Sequence, residues 1–313
     1  MKTQMIRADE IMTQQLTTTN PNTHVVDAIE RLIGREVSGL PVIDSKRQLL
    51  GRFTERSAVR VLDLTTADAD SRICQQLNHV TAASLVKRNA LVLNSQDSVF
   101  DAIQRLIAQR MSGAGVINDD RELLGVFSEA SAMHIFIGLC WEQLPSANVT
   151  AWLDRHDDRR IGLDTSLNLI LQRFNNRPYR RLMVIHHGKF IGHVSRRDAL
   201  KAALTISRGP LAASRNLQGE LQMGLQTQVQ AWMETDLEVL PENADVLRIS
   251  RAFLESGVRQ LPVIRNNRLI GQVSRSDLLR AVQQSFLMPT AAKVGAQPLY
   301  LSSTNRERPE NLV

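Results

Sequence analysis

The sequence predicts an α/β protein assembled from four tandem copies of one β-α-β-β-α unit, and three observations carry that prediction. A segment that opens on Gly and closes on Ser or Asp recurs as Gly51–Ser57, Gly125–Ser131, Gly192–Asp198 and Gly271–Asp277. Each follows an apolar run: Leu40–Ile43, Ala114–Ile117, Leu182–Ile185 and Leu261–Ile264. Upstream of each run, apolar residues recur at helical spacing. They are Val25, Ile29 and Leu32; Val99, Ile103 and Leu106; Leu167, Leu171 and Phe174; and Val246 and Phe253, with Ser250 between them.

Taken in order, each unit opens with a lead-in and an extended stretch: Leu16–Thr19, Ala90–Leu93, Arg160–Leu163 and Leu237–Leu240. The amphipathic helix comes next. Two strands follow, joined by turns of hairpin length and polarity, at Asp44–Gln48, Asn118–Glu122, His186–Lys189 and Arg265–Arg268. A second short helix, such as Ser276–Val282, closes the unit, so that two helices cover a small sheet. The units are expected at 1–70, 71–143, 144–206 and 228–287. Residues 207–227 read as a linker entering a helix, with Gly209-Pro210 and then Leu217, Leu221 and Leu225 at helical spacing. Residues 288–313, rich in Pro, Ser, Thr and Asn, read as a flexible tail.

Composition narrows the function classes. With 313 residues and 43% hydrophobic content the chain can bury two proper cores. The formal charge of +6 permits anionic partners, but Arg and Glu are interspersed, and the 4% aromatic content with no basic helix argues against nucleic-acid binding. Cys74 and Cys140 lie far apart, which predicts a reducing compartment and no disulfide framework. Met1–Met12 carries charges where a signal peptide would be apolar, and the longest apolar run, Met133–Trp141, falls short of the ~20 residues needed to cross a bilayer. A cytoplasmic protein without a membrane segment is expected. No nucleophile–base pair, P-loop or metal spacing is present, so no catalytic residue, metal or required cofactor is assigned. Asp154, His156, Asp157 and Asp158 read as a solvated loop. His186-His187 reads as part of a turn, and Trp141, Trp152 and Trp232 as packing residues.

The unit resembles the cystathionine-β-synthase (CBS) domain. The resemblance rests on Leu40-Pro41-Val42-Ile43, on Leu261-Pro262-Val263-Ile264 and on the Gly-hydrophobe-Ser/Thr-x-x-Asp segment, repeated in register across nearly the whole chain. It implies tandem CBS domains in two Bateman modules, copies one with two and three with four. The paired sheets of such modules leave clefts where nucleotides bind in many members. It also implies either a disc-like intrachain pseudo-dimer, as in the gamma subunit of AMP-activated protein kinase, or a homodimer, and an effector protein of unknown identity. With no segment left for a catalytic domain, the expected role is regulatory.

The four Gly-containing segments differ, and the difference singles out the second module. Thr54, Ser128, Ser195 and Ser274 all qualify as helix N-caps. The helix dipole favours acidic residues in the first turn, as Glu55 and Glu129 provide in copies one and two. Copies three and four instead place Arg196-Arg197 and Arg275 there, which is unfavourable unless an anion sits nearby. They also carry Asp198 and Asp277, carboxylates able to accept from two vicinal hydroxyls, where copies one and two have Ser57 and Ser131. Arg180, Arg181 and Arg259 precede their second strands. The resemblance assigns the same roles: Ser195 and Ser274 to phosphate, Asp198 and Asp277 to ribose, and the arginines to phosphate. It places the adenine near Ile161–Leu163 and Val239–Pro241. The expected ligand is AMP, ADP or ATP, held as a regulator; the alternative is a ligand-free interaction scaffold in which Asp and Arg are salt-bridged caps.

Overall fold

The computed structural model describes residues 6–67, 79–88, 90–140, 148–155, 157–208 and 226–287. Cys74, Trp141, His156, most of the linker with Leu217, and the tail after Leu287 lie outside the described residues. Copy one contains α1 (Ala8–Ile11), α2 (Val25–Gly34), β1 (Gly39–Ile43), β2 (Leu49–Thr54) and α3 (Glu55–Ala67). Copy two contains α4 (Ala82–Leu85), β3 (Val92–Asn94), α5 (Val99–Ala108), β4 (Gly113–Ile117), β5 (Leu123–Ser128) and α6 (Glu129–Cys140). Copy three contains β6 (Arg160–Ile161), α7 (Leu167–Asn176), β7 (Arg181–His186), β8 (Lys189–Ser195) and α8 (Arg196–Arg208). Copy four contains β9 (Leu240–Pro241), α9 (Val246–Ser256), β10 (Gln260–Arg265), β11 (Arg268–Ser274) and α10 (Arg275–Leu287).

Each hairpin is antiparallel, and in copies two to four a short first strand adds in parallel at its edge. In copy one that first strand shrinks to a single bridge, Thr19 to Val42. Two turn solutions appear. Copies one and two use longer loops with one left-handed residue, Arg47 or Arg121; Asp44 Oδ1 braces the first by accepting from the amides of Lys46 and Gln48 at 2.9 Å. Copies three and four use two-residue turns with both central residues left-handed, His187-Gly188 and Asn266-Asn267, as a hairpin of that length requires.

Each lead-in leaves its own copy and completes its neighbour. Residues 6–13 lie on copy two, where Thr13 exchanges backbone hydrogen bonds with Val126 at 2.9 and 3.0 Å. Residues 79–88 return the exchange on copy one through Lys87 and Arg52. In the second module Asp154 pairs with Gln272 of copy four and Glu234 with His193 of copy three. This crossing explains the repeated Gly. A Cβ on Gly51, Gly125, Gly192 or Gly271 would meet the carbonyl of Lys87, Thr13, Glu234 or Asp154 at 2.8, 3.0, 2.6 or 3.0 Å. Only glycine lets the lead-in backbone close the sheet edge.

The cores run between modules. Helix and sheet faces of copies one and three share one apolar cluster, which includes Ile29, Leu32, Phe53, Leu171 and Phe174. Those of copies two and four share another, around Ile103, Leu106, Phe127, Met133 and Phe253. Sheets of the same module meet through a smaller seam, such as Leu49, Ile117 and Leu123 in the first. The chain therefore pairs its own two modules through their helices.

Candidate functional site

All four caps form. Thr54 and Ser128 accept from the amides of Ser57 and Ser131 at 3.2 Å, and each hydroxyl also pairs with that serine's hydroxyl at 3.1 and 3.0 Å. Copies three and four add a reciprocal contact. Asp198 Oδ2 accepts from the Ser195 amide at 2.8 Å and from its hydroxyl at 2.6 Å, while the Asp198 amide donates to Ser195 Oγ at 3.2 Å. Asp277 Oδ2 does the same with Ser274 at 2.9 and 2.5 Å. These are complete capping boxes, with Asp reaching back from the third helical position. One oxygen of each carboxylate is thus committed to its own turn.

A second repeated bond fixes the arginines. The first amide of each closing helix donates to the carbonyl of the residue before the hairpin: Glu55 to Ser38, Glu129 to Ser112, Arg196 to Arg180 and Arg275 to Arg259. Arg180 and Arg259 are therefore true equivalents. Arg181 corresponds instead to Gln260, Gly39 and Gly113, which pair with Ser274, Thr54 and Ser128 as Arg181 pairs with Ser195.

The side chains fan out to other copies. Arg181 Nη1 donates to the Gln260 carbonyl at 3.1 Å, joining copies three and four. Arg259 Nη1 donates to Ser112 Oγ of copy two at 3.0 Å. Arg197 forms a salt bridge with Glu55 of copy one at 3.2 Å and donates to the Glu36 carbonyl at 2.7 Å. Arg196 is buried over the Phe174 ring, 5.9 Å from its centroid, with Nε and Nη2 lacking a partner among the described residues. Arg275 is buried beside Phe253, whose carbonyl accepts from it at 3.3 Å, and its Nε is unpartnered in the same sense. The predicted residues are brought to one region, but that region spans both modules. Sequence reading missed two of its members. Arg52, from copy one, donates to the Gly113 carbonyl; Glu55, read only as a first-turn acidic residue of copy one, is paired with Arg197.

Ile161, at the expected adenine position, stands opposite Val184, whereas Ser195 stands opposite Arg181, three residues or about 10 Å along β7. The Asp157–Arg159 turn precedes β6 at the end beside Ser195. Between copies three and four a narrow cleft of about 10 Å³ is lined by Asp154, Arg159, Arg160, Met183, Gly271 and Gln272, among others. Arg159 bridges to Asp154 at 2.5 Å and lies over the Tyr179 ring, and Gln272 Oε1 is buried without a partner among the described residues. The acidic loop is thus tied by ion pairs, and no group of three or more potential metal ligands occurs among the described residues.

The CBS-domain family model matches residues 8–64, 82–138, 157–205 and 229–284. The chain belongs to the CBS-domain family. Protein MJ1225 of Methanocaldococcus jannaschii is 19% identical over 278 residues, spanning 85% of this chain and 95% of its own length. The crystal structure of that protein, described as a candidate archaeal homologue of g-AMPK, superposes with a TM-score of 0.75 at 16% identity and covers 88% of this chain and 99% of that one. A conserved protein from Pyrococcus horikoshii follows at a TM-score of 0.56 and 18% identity, covering 88% and 100%. Inosine-5'-monophosphate dehydrogenase of M. jannaschii is 22% identical over 122 residues, 39% of this chain but 22% of that enzyme. These similarities establish four CBS copies in tandem. No helix among the described residues is long and apolar enough to cross a membrane.

Electrostatics separate the region where the CBS copies meet from an ordinary surface. Burial and the nearby Arg180 charge hold the Arg52 and Arg259 guanidiniums down at about 10, and burial with Arg180 and Arg56 holds Arg196 down at about 9. Burial also lowers Arg181 and Arg275. Burial raises Glu129, against the pull of Arg180, Arg259 and Arg275. Arg180 is common to most of these effects, yet its guanidinium has no hydrogen-bond or ion-pair partner among the described residues.

Proposed function

We propose that this chain is a non-catalytic regulatory protein whose second Bateman module binds an adenine nucleotide. Occupancy would be passed on through the packing of the two modules. The observation that carries the reading is the pairing, in copies three and four only, of a Ser–Asp capped helix N-terminus with buried arginines that lack full partners. Helix amides, a serine hydroxyl and guanidiniums together suit a phosphate. The second oxygen of Asp198 or Asp277 suits the vicinal hydroxyls of a ribose. Membership of the CBS family supports the reading, as does the g-AMPK description of the M. jannaschii protein. A nucleotide shifts the module packing only as far as it prefers one arrangement, and the direct route for that preference is the Arg197–Glu55 bridge next to Asp198.

Titration calorimetry with AMP, ADP and ATP tests the site. Binding is expected in the wild type and lost in the Asp198→Ala, Asp277→Ala double variant. No heat at millimolar ligand, or undiminished binding in the variant, removes the assignment. A second reading, an interaction scaffold with no physiological nucleotide, is favoured by the completed capping boxes, which give both aspartates a structural role without ligand. Nucleotide released by heating the purified protein separates the two.

A further inference from the structure

We infer that Arg52 is a built-in occupant of the first module. Its side chain crosses between the sheets of copies one and two and seals there the space that the second module lines with unpartnered polar groups. The seal concerns the first module and stands apart from the nucleotide reading of the second. It gives the two halves of the chain different work, one fixed and one responsive.

Strand register carries the comparison. Arg52, Val126, His193 and Gln272 hold one equivalent position, opposite Pro41, Gly115, Met183 and Pro262. Two residues back along the first hairpin strand, Gly39 and Gly113 stand where the second module has Arg181 and Gln260. Alternate strand residues share a face. All of these therefore lie on the side turned away from Leu40, Ala114, Leu182 and Leu261, which belong to the two large apolar clusters. On that side the first module fits together. Arg52 Nη1 donates to the Gly113 carbonyl of copy two. A Cβ on Gly39 would lie 2.9 Å from Arg52 Nη2 and 3.4 Å from Nε, so only glycine leaves room for the guanidinium. A Cβ on Gly115 would meet Leu49 Cδ2 of copy one at 2.6 Å. Backbone pairing with Lys87 of the lead-in pins the strand that carries Arg52. The forked guanidinium reaches Gly113 with one nitrogen while another lies against Gly39, which the single nitrogen of a lysine cannot do. The second module is not closed in this way. His193 Nδ1, Gln260 Oε1 and Gln272 Oε1 are buried without partners among the described residues, whereas no atom of Arg52, Thr54 or Ser128 is.

Thermal shift on the full chain tests the seal, with methylguanidinium as the probe and sodium chloride at equal ionic strength as its control. Arg52→Ala should lower the melting temperature by about 4 °C or more. Millimolar methylguanidinium should restore at least half of that loss and leave the wild type and Gln272→Ala unmoved. Gly39→Ala should destabilise the wild type yet cost little in the Arg52→Ala background, where its Cβ meets no guanidinium. If Arg52→Ala does not fold, Arg52→Lys takes its place in that pair, keeping the charge without the fork, and the Gly39→Ala cost should shrink there too. An Arg52→Ala protein that melts with the wild type, a failure of methylguanidinium to rescue it, or additive Gly39 and Arg52 costs overturns the seal. So does nucleotide binding that survives the Asp198→Ala, Asp277→Ala double variant but is lost in Arg52→Ala, because the ligand would then sit in the first module.

Discussion

Copies one and two carry Phe53 and Phe127 on the second hairpin strand and Leu32 and Leu106 on the first helix. Copies three and four carry Val194 and Val273 on that strand and Phe174 and Phe253 on the helix. Facing across the module boundary, the two modules thus invert large and small, so each shared core holds one Phe from strand and one from helix. Charge inverts in the same way. The first module offers Glu55 and Glu129 at its closing-helix N-termini, and the second offers Arg197 and Arg275. First-turn cations look anomalous on a single helix, and for Arg197 the compensating anion is Glu55. The modules are complementary, and only the arginine excess beyond that pairing speaks for a ligand.

The size inversion can be broken first. Phe174→Ala should cost about 3–5 kcal/mol, and because its core is shared by copies one and three, urea should still unfold both modules in one transition. Two separate transitions would show that the modules are independent.

A pH test sharpens a second difference. His193 occupies in copy three the register position of Arg52 in copy one, and burial, helped by Arg181, pushes it from 6.5 down to about 3. The folded state then binds this proton less readily than the unfolded chain. Stability from a neutral His193 is full above pH 6.5 and is lost as pH falls toward 3. The slope attributable to it is about 1 kcal/mol per pH unit, and it should vanish in His193→Gln when melting temperatures are compared from pH 7 to 4.

Gly192→Ala should cost about 1–3 kcal/mol by driving its Cβ against the Glu234 carbonyl, measured by urea midpoint. A neutral outcome would mean that the lead-in is loosely held. The smallest effect tests the charge inversion: Glu55→Lys should cost about 1 kcal/mol, and adding Arg197→Glu should recover most of it. Failure of the swap to rescue would leave Arg197 free for a ligand.

The hairpins were legible because alternating burial and turn chemistry are local. His186–Lys189 and Arg265–Arg268 bound two-residue turns where the polar runs predicted them. The caps were legible too, since Ser195 and Asp198 sit three residues apart on one turn. Other features resisted reading. Copy one's first strand was expected from Leu16–Thr19, but it makes only one bridge. Arg52 carried no signal as one arginine within an apolar strand.

By itself the sequence determined the four-copy architecture, the hairpin and cap positions and the inequality of the two modules, because these depend on periodicity and on residues within a few positions of each other. Tertiary structure alone decided what the inequality means. Which copies share a core, why each Gly faces a foreign backbone, and which arginines find a carboxylate all depend on contacts between residues often more than a hundred positions apart. Burial then sets the electrostatic cost, and it falls on arginines that sequence could name but could not place around one point.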